Sequence, residues 1–256
     1  MTVRIKYLNP WGTDLYDSLI AETLTPFAHS DTELVVSSLK GTPEGMEDMY
    51  NKHLNETQVF EAVMQAEKDG FDAVIIGCCY DPGVRVARQL VNIPVVGPTE
   101  ASMHMAPYYG HNYILVTDDH RAVPYMRDMV SVYSQDKACR EVSCVGWYVP
   151  EMSTDPEGFA LDAVKAMELA MVAQRAEAAI LGCTIVAANY EKLIAAGHQR
   201  NAAILNPNNL ALKMAESLAS LRSKGNYQVN RVGFYNSLAA CNPTEFTRIR
   251  HTFCGQ

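Results

Sequence analysis

The sequence predicts an α/β fold of two pseudo-symmetric lobes, each a parallel, Rossmann-like sheet flanked by helices, with a ligand cleft between them. Short β-branched runs alternate with longer helical patterns, which is typical of parallel strands joined by right-handed crossovers. A long helix followed by an apolar strand occurs twice, ending once in FDAVIIGCC and once in AEAAILGCT. Such an internal repeat indicates two related halves. The 256 residues, 48% of them hydrophobic, suffice for one large domain or two lobes.

The first predicted lobe covers residues 1–108. Its helix Tyr50–Lys68 places Val59, Val63 and Ala66 on one face. Asp14 is expected to cap the first helix, and the Asp81 carboxylate to cap a short helix after the turn Asp81-Pro82-Gly83. The predicted strands are Val3–Leu8, Glu33–Leu39, the apolar run Asp72–Gly77 and Ile93–Gly97, and a further helix begins at Glu100–Met105.

The second predicted lobe covers residues 109–222 and repeats the order of the first. Its strands are predicted at Asn112–Thr117, Glu141–Trp147, Ala178–Gly182 and Ala203–Leu205, and its helices at His120–Tyr133, Glu157–Arg175, Val186–Ala196 and Asn206–Leu221. Residues 223–256 break this rhythm and form a C-terminal extension. Its basic residues Arg248, Arg250 and His251 are expected to form a solvated tip.

Charge and hydropathy argue against several kinds of partner. Lys and Arg number 21 and Asp and Glu 29, and the net charge of −8 disfavours nucleic acid and anionic membranes. No apolar run reaches the roughly 18 residues that a membrane span needs. The start MTVRIKYLNP is typical of a strand and not of a signal peptide, so we expect a cytoplasmic protein. No phosphate-binding glycine motif follows a strand, so no nucleotide cofactor is expected.

The cysteines predict neither a disulfide framework nor a metal site. Their number, seven, is odd, no Cys-x-x-Cys pair is present, and the histidines do not cluster at ligand spacing. We expect Cys139, Cys144, Cys241 and Cys254 to be small buried hydrophobic residues.

Cys78 and Cys183 occupy the same position in the internal repeat. Each follows a glycine at the carboxyl end of a predicted strand and precedes a helix, at the sheet edge where ligands bind in open α/β folds. Helix N-termini are expected to lower the pKa of both thiols. Two such thiols, facing each other across the cleft, are suited to remove a proton from one face of a carbon and return one to the other. The alternative is a pair of buried core cysteines.

Two segments of the first half resemble the hydantoin racemase branch of the aspartate/glutamate racemase superfamily. They are GCCYDPGVRVARQL at Gly77–Leu90 and IPVVGPTEASMHMA at Ile93–Ala106. In that branch a cysteine lies three residues before Asp-Pro-Gly, which implies Cys78, and not Cys79, as the first catalytic cysteine. The segment ILGCT is similar to the second cysteine motif and implies Cys183. With looser similarity at Leu8–Pro10, Glu44-Gly45 and Ala211–Leu218, the resemblance covers most of residues 1–221.

Three departures from the family pattern concern the substrate. Trp11 stands where hydantoin racemases usually have Asn, and Thr184-Ile185-Val186 replaces their usual Ala-Gly-Met. Ile185 also replaces the His that follows Gly-Cys-Thr in glutamate racemases. The aromatic rings of Trp11 and Tyr80, next to predicted cleft loops, favour a flat or apolar substrate.

Further candidates for substrate binding lie at the same sheet edge. Asn9 either presents its amide to the cleft or only forms a turn with Pro10. Thr117 ends a strand there, while Asp118 is expected only to cap the next helix. Thr184 is a candidate donor of its N–H and hydroxyl to an oxyanion, and Cys79 is expected to line the site as a reduced thiol. Glu100 and His104 are four residues apart and either support Cys78 or form an exposed contact.

The leading hypothesis is a cofactor-independent isomerase that racemises hydantoin-like compounds through Cys78 and Cys183. The alternatives are an Asp- or Glu-type amino-acid racemase, another cysteine-dependent isomerase or decarboxylase of the same fold, and a non-catalytic small-molecule binding protein. The expected partner is a small-molecule substrate, with no metal and no other cofactor. A homo-oligomer is expected, as for most such enzymes.

Overall fold

A computed structural model describes residues 2–201 and 203–254. Met1, Ala202, Gly255 and Gln256, which fall within the predicted lobes and extension, lie outside the described residues. The strands are β1 (Val3–Asn9), β2 (Thr32–Ser38), β3 (Ala73–Ile76), β4 (Val95–Val96), β5 (Tyr113–Thr117), β6 (Cys139–Cys144), β7 (Ala178–Leu181) and β8 (Ile204–Leu205). The α-helices are α1 (Asp17–Leu24), α2 (Met49–Lys68), α3 (Val84–Leu90), α4 (Pro98–Met105), α5 (Ala122–Val132), α6 (Pro156–Gln174), α7 (Thr184–Ala195), α8 (Pro207–Gly225), α9 (Leu238–Cys241) and α10 (Pro243–Cys254).

The eight strands form two parallel sheets of four with the same topology. The strand orders are β2-β1-β3-β4 and β6-β5-β7-β8. All residues of β3, β5 and β7 are buried, as expected of strands covered by helices on both faces. The predicted α/β fold with two pseudo-symmetric lobes is therefore confirmed, and β3 and β7 occupy equivalent inner positions.

Two helices, α4 and α8, connect the lobes. They pack against each other, α8 also contacts strands of the first sheet, and a residue of α4 packs with the second sheet. Met103 of α4 lies in a buried cluster with Tyr113 and Leu115 of β5. Leu212 of α8 packs with Ile5 and Ile75 of the first sheet, although α8 follows the second sheet in the chain. Apolar contacts of α4 and α8 therefore join the two lobes.

Two predicted helix ends differ in the structure. The first helix begins at Asp17 and not after Asp14, because Asp14 forms a preceding turn in which its carbonyl accepts from the Asp17 N–H at 3.0 Å. The Asp81 carboxylate does not cap the helix next to it; it accepts from the backbone N–H groups of Thr99 (3.1 Å) and Glu100 (2.8 Å) at the start of α4. The cap of α3 is Gly83, whose φ of 70° lies in the left-handed region.

The C-terminal extension packs onto the first lobe. Arg231 donates to the backbone carbonyls of Arg88 (3.0 Å) and Gln89 (2.9 Å) at the end of α3. The expectation of a solvated basic tip is wrong for Arg250, whose Nε donates to Glu61 Oε1 of α2 at 3.0 Å. Arg248 and His251 are exposed, as expected. Among the described residues, no helix has the length and apolarity to cross a membrane.

Candidate active site

The ends of β3 and β7 are built alike. The N–H of Gly77 donates to Leu8 O at 2.8 Å, and that of Gly182 donates to Val116 O at 2.7 Å, so each glycine continues the sheet by one bond. A Cβ at Gly77 would lie 2.1 Å from Cε1 of Tyr7, and one at Gly182 would lie 2.8 Å from Cδ2 of Leu115. Close packing therefore requires glycine immediately before each of the two cysteines.

Cys78 and Cys183 line one cavity between the lobes. Both cysteines are buried there, with only 7% and 8% of their surface exposed. The cavity is lined by Trp11, Tyr16, Glu44, Gly45, Met46, Glu47, Cys78, Cys79, Tyr80, Asp118, Val149, Gly182, Cys183, Thr184 and Ile185.

Backbone N–H groups face both sulfur atoms. The Tyr80 N–H donates to Cys78 Sγ at 3.5 Å. Cys183 is the N-cap residue of α7, and the N–H groups of Val186 and Ile185 at the start of that helix favour its thiolate. Each thiol is thus placed where a developing negative charge meets amide dipoles.

The expected lowering of the two thiol pKa values is nevertheless wrong. Burial raises the pKa of Cys78 and of Cys183 far above the ordinary thiol value, and this effect outweighs the backbone N–H groups. The negative charge of Asp118 raises both pKa values further. Both thiols are therefore protonated at neutral pH in the free protein.

Three carboxylates and no basic side chain line the described cavity. They are Glu44, Glu47 and Asp118, and neither Lys, Arg nor His contributes to the lining. Asp118 is 3% exposed, and its Oδ1 accepts from the Thr117 hydroxyl at 2.8 Å. Burial raises the pKa of Asp118 itself. This electrostatic environment disfavours an anionic ligand and favours a neutral one rich in N–H groups.

The predicted binding residues fall into two groups. Trp11, Cys79 and Thr184 line the cavity with the two cysteines. The Thr184 hydroxyl, however, donates to Gly77 O at 3.1 Å, so it joins the lobes and only the Thr184 N–H remains from the expected oxyanion donors. Cys79 is a free thiol.

Asn9 and Thr117 lie outside the cavity lining. The Asn9 side-chain amide donates to Asp17 Oδ1 at 2.6 Å. The Thr117 hydroxyl donates to the Asp118 carboxylate and so orients that side chain. A direct contact of either residue with substrate stays a prediction.

Several lining residues were not predicted from the sequence. Asp118 follows β5 directly, at the sheet edge where ligands bind, and this position could have identified it as a residue of the cavity lining. Tyr16, Met46, Glu47 and Val149 come from loops or loop ends without a comparable signal.

The other candidates do not take part in the cavity. Glu100 pairs with Arg88 at 3.0 Å. An exposed contact between His104 and Glu100 is present, as one of the two alternatives predicted, but it joins the His104 ring to the Glu100 backbone oxygen at 2.8 Å. The four remaining cysteines are not fully buried as expected: Cys139, Cys144 and Cys254 are half-buried and Cys241 is exposed. No group of three or more His, Cys, Asp or Glu residues within the described ranges is placed to hold a metal ion.

This chain has two related parallel-sheet lobes with a cavity lined by cysteines. Racemases of known structure share this two-lobe α/β architecture. The family model described as Asp/Glu/Hydantoin racemase matches residues 5–215. A hydantoin racemase of Rhizobium meliloti is 27% identical over 233 residues, 91% of this chain and 94% of that protein. A hydantoin racemase of Pseudomonas sp. (strain NS671) is 30% identical over 181 residues, 71% of this chain and 73% of that protein.

Among solved structures, allantoin racemase from Pseudomonas fluorescens superposes with a TM-score of 0.80 at 28% identity, covering 92% of this chain and 97% of that chain. The chain belongs to the Asp/Glu/Hydantoin racemase family, and it is an isomerase. The resemblance carried by Gly77–Ala106 is thereby confirmed.

Proposed function

We propose that this chain is a cofactor-independent racemase of hydantoin-like compounds, either 5-substituted hydantoins or allantoin-type rings, acting through Cys78 and Cys183. The observation that carries the proposal is the equivalent placement of two thiols, each after a glycine at an inner strand end, in the lining of one cavity. The names of the relatives, hydantoin and allantoin racemases, support the substrate class.

The electrostatics of the cavity favour a neutral ring over a free amino acid. An Asp- or Glu-type substrate brings one or two carboxylates, and such groups are bound in proteins by cationic side chains or by several donors. The described lining offers Glu44, Glu47 and Asp118 instead. A hydantoin ring is neutral, and its N–H groups are matched to carboxylate acceptors.

The proposed reaction exchanges one proton for another at the stereocentre. A thiolate on one side removes the proton at C5, and the electron pair passes into the adjacent C4 carbonyl to give an enolate. The thiol on the opposite side then donates its proton to C5, which inverts the centre and leaves the two sulfur atoms with exchanged protonation states. Each enantiomer is thus served by the cysteine that faces it.

Single substitutions of the two cysteines test this mechanism. In Cys78→Ser and Cys183→Ser, racemisation should fall by about 10²–10⁴-fold, because a hydroxyl is a much weaker acid than a thiol. Each variant should still exchange the C5 proton of one enantiomer with deuterated water, and the two variants should exchange opposite enantiomers. NMR of each enantiomer of 5-benzylhydantoin in D₂O measures this exchange.

The same experiment distinguishes the alternatives. Wild-type racemisation rates in either variant would assign that cysteine to the core. Absence of any exchange in the wild-type protein, despite ligand binding, would indicate a binding protein. Cys139→Ser, a half-buried cysteine outside the cavity, is the matched control and should behave as wild type. A homo-oligomeric state, a cytoplasmic location and independence of cofactors stay predictions.

A further inference from the structure

An unpaired donor lies in the cavity wall. The indole of Trp11 is 6% exposed, and its Nε1–H has no hydrogen-bond partner among the described residues. The other buried polar atoms without a partner belong to residues outside the cavity lining. A buried N–H without a partner is unfavourable, and a ligand that offers an acceptor restores the missing bond.

Glu47 contributes a carboxylate to the lining of the same cavity. Trp11 packs edge-on against Tyr16, with ring centroids 6.3 Å apart and an interplanar angle of 89°. Tyr16 lines this cavity with Glu47, whose negative charge is one of the causes, after burial and Cys183, that raise the Tyr16 pKa. The Glu47 carboxylate folds over Gly45, where a Cβ would lie 2.2 Å from Oε2.

Backbone and side-chain bonds hold these two loops together. The Gly12 N–H, next to Trp11, donates to Pro43 O at 3.0 Å. The buried side chain of Asn55 in α2 donates to the same carbonyl at 3.0 Å and lies 3.3 Å from Gly45 O. The donor and the acceptor are therefore presented from a preorganised framework, which reduces the entropic cost of binding.

We propose that Trp11 and Glu47 bind the amide edge of the substrate ring, the indole N–H donating to a ring carbonyl oxygen and the Glu47 carboxylate accepting the N3–H beside it. This inference rests on the proposed function, because it takes a hydantoin-like ring as the ligand. The N3–H is flanked by two carbonyls and is the more acidic N–H of such a ring, so it is the better partner for a carboxylate. The pair selects rings with a free N3–H.

Binding of 5,5-dimethylhydantoin tests the donor without any turnover, because this ring has no proton at C5. Titration calorimetry should show an affinity about 5- to 10-fold lower for Trp11→Phe, which keeps an aromatic ring but loses the N–H. Trp147→Phe is the matched control, since the Trp147 indole donates to Asp162 at 3.1 Å outside the cavity. Equal affinity of Trp11→Phe and wild type would overturn the assignment of Trp11.

Methylated rings test the acceptor on the wild-type protein itself. Affinity for 3,5,5-trimethylhydantoin should be about 10- to 100-fold below that for 5,5-dimethylhydantoin, because methylation removes the hydrogen bond to a charged group. In Glu47→Ala the two rings should bind alike, and Glu47→Gln should restore part of the difference. A methyl group at N1 that weakens binding more than one at N3 would overturn the assigned ring edge.

Failure of this inference is distinct from failure of the proposed function. A wild-type protein that racemises 5-benzylhydantoin while both variants bind 5,5-dimethylhydantoin normally refutes the roles of Trp11 and Glu47 alone. If the variants show the predicted losses of affinity but the wild-type protein does not racemise 5-benzylhydantoin, the roles of Trp11 and Glu47 in binding stand and the proposed reaction is refuted.

Discussion

The pH dependence of racemisation follows from the burial of the two thiols. Removal of the C5 proton requires one thiolate, whereas burial raises the pKa of Cys78 and Cys183 above the ordinary value of 9.0. The thiol form therefore dominates at neutral pH, and the thiolate fraction grows about tenfold per pH unit. Between pH 7 and pH 9 we expect kcat/KM to rise about 100-fold, without a maximum, because the second thiol remains protonated as the required acid.

Asp118→Asn should displace this profile. The Asp118 charge raises the pKa of both thiols, so its removal favours the thiolate, and the rising limb should move to lower pH. Asparagine keeps the Oδ1 acceptor for the Thr117 hydroxyl. Burial, the largest cause, still keeps both pKa values high, so kcat/KM of the variant should keep its rise of about tenfold per pH unit and exceed the wild-type value at each pH between 7 and 9.

Circular dichroism of one enantiomer of 5-benzylhydantoin provides the assay. The rate without enzyme is subtracted at each pH, and the ionisation of the substrate is measured from its own absorbance. Asp128→Asn, which removes an exposed carboxylate on α5, should keep the wild-type profile. A flat wild-type profile between pH 7 and pH 9, or an unshifted profile in Asp118→Asn, would refute the link between burial, charge and catalysis.

Three further predictions concern the framework around the site. Arg231→Ala removes charged hydrogen bonds to the end of α3, each worth about 1.5–3 kcal/mol, so thermal unfolding should show a Tm lower by at least about 3 °C; an unchanged Tm would contradict the packing of the extension. Burial raises the pKa of Asp81 from 3.8 to about 7, so the folded protein binds the Asp81 proton more tightly than the unfolded chain does. The free energy of unfolding of the wild-type protein should therefore decrease as pH rises from 3.8 to about 7, by at most about 4 kcal/mol. Asp81→Asn should lack this decrease when chemical denaturation is compared at pH 5 and pH 7.5. An equal decrease in both proteins would contradict the assignment of the pH dependence to Asp81. Gly77→Ala, with its Cβ 2.1 Å from the Tyr7 ring, should lose about 1–3 kcal/mol of stability and most of its activity, and normal unfolding with full activity would show that the strand end tolerates a side chain.

The sequence by itself determined the order of the elements and the position of the two thiols. Apolar runs and helical periodicity are local properties, and they located all eight strands to within a few residues. The repeated Gly-Cys ending placed Cys78 and Cys183 at equivalent strand ends because parallel strands of one topology present their carboxyl ends at one edge. The motif between Gly77 and Ala106 also indicated the family.

Tertiary structure decided the protonation of those thiols and the chemistry of the cavity walls. Burial depends on groups from many parts of the chain, so the backbone N–H groups that favour a thiolate are outweighed by burial and by the charge of Asp118. The Asp81 carboxylate caps α4 rather than its neighbouring helix, through bonds between residues 18 and 19 positions apart in the chain. Trp11 and Glu47 line one cavity only because two loops more than 30 residues apart in the chain contact each other. No local sequence pattern predicts such a contact.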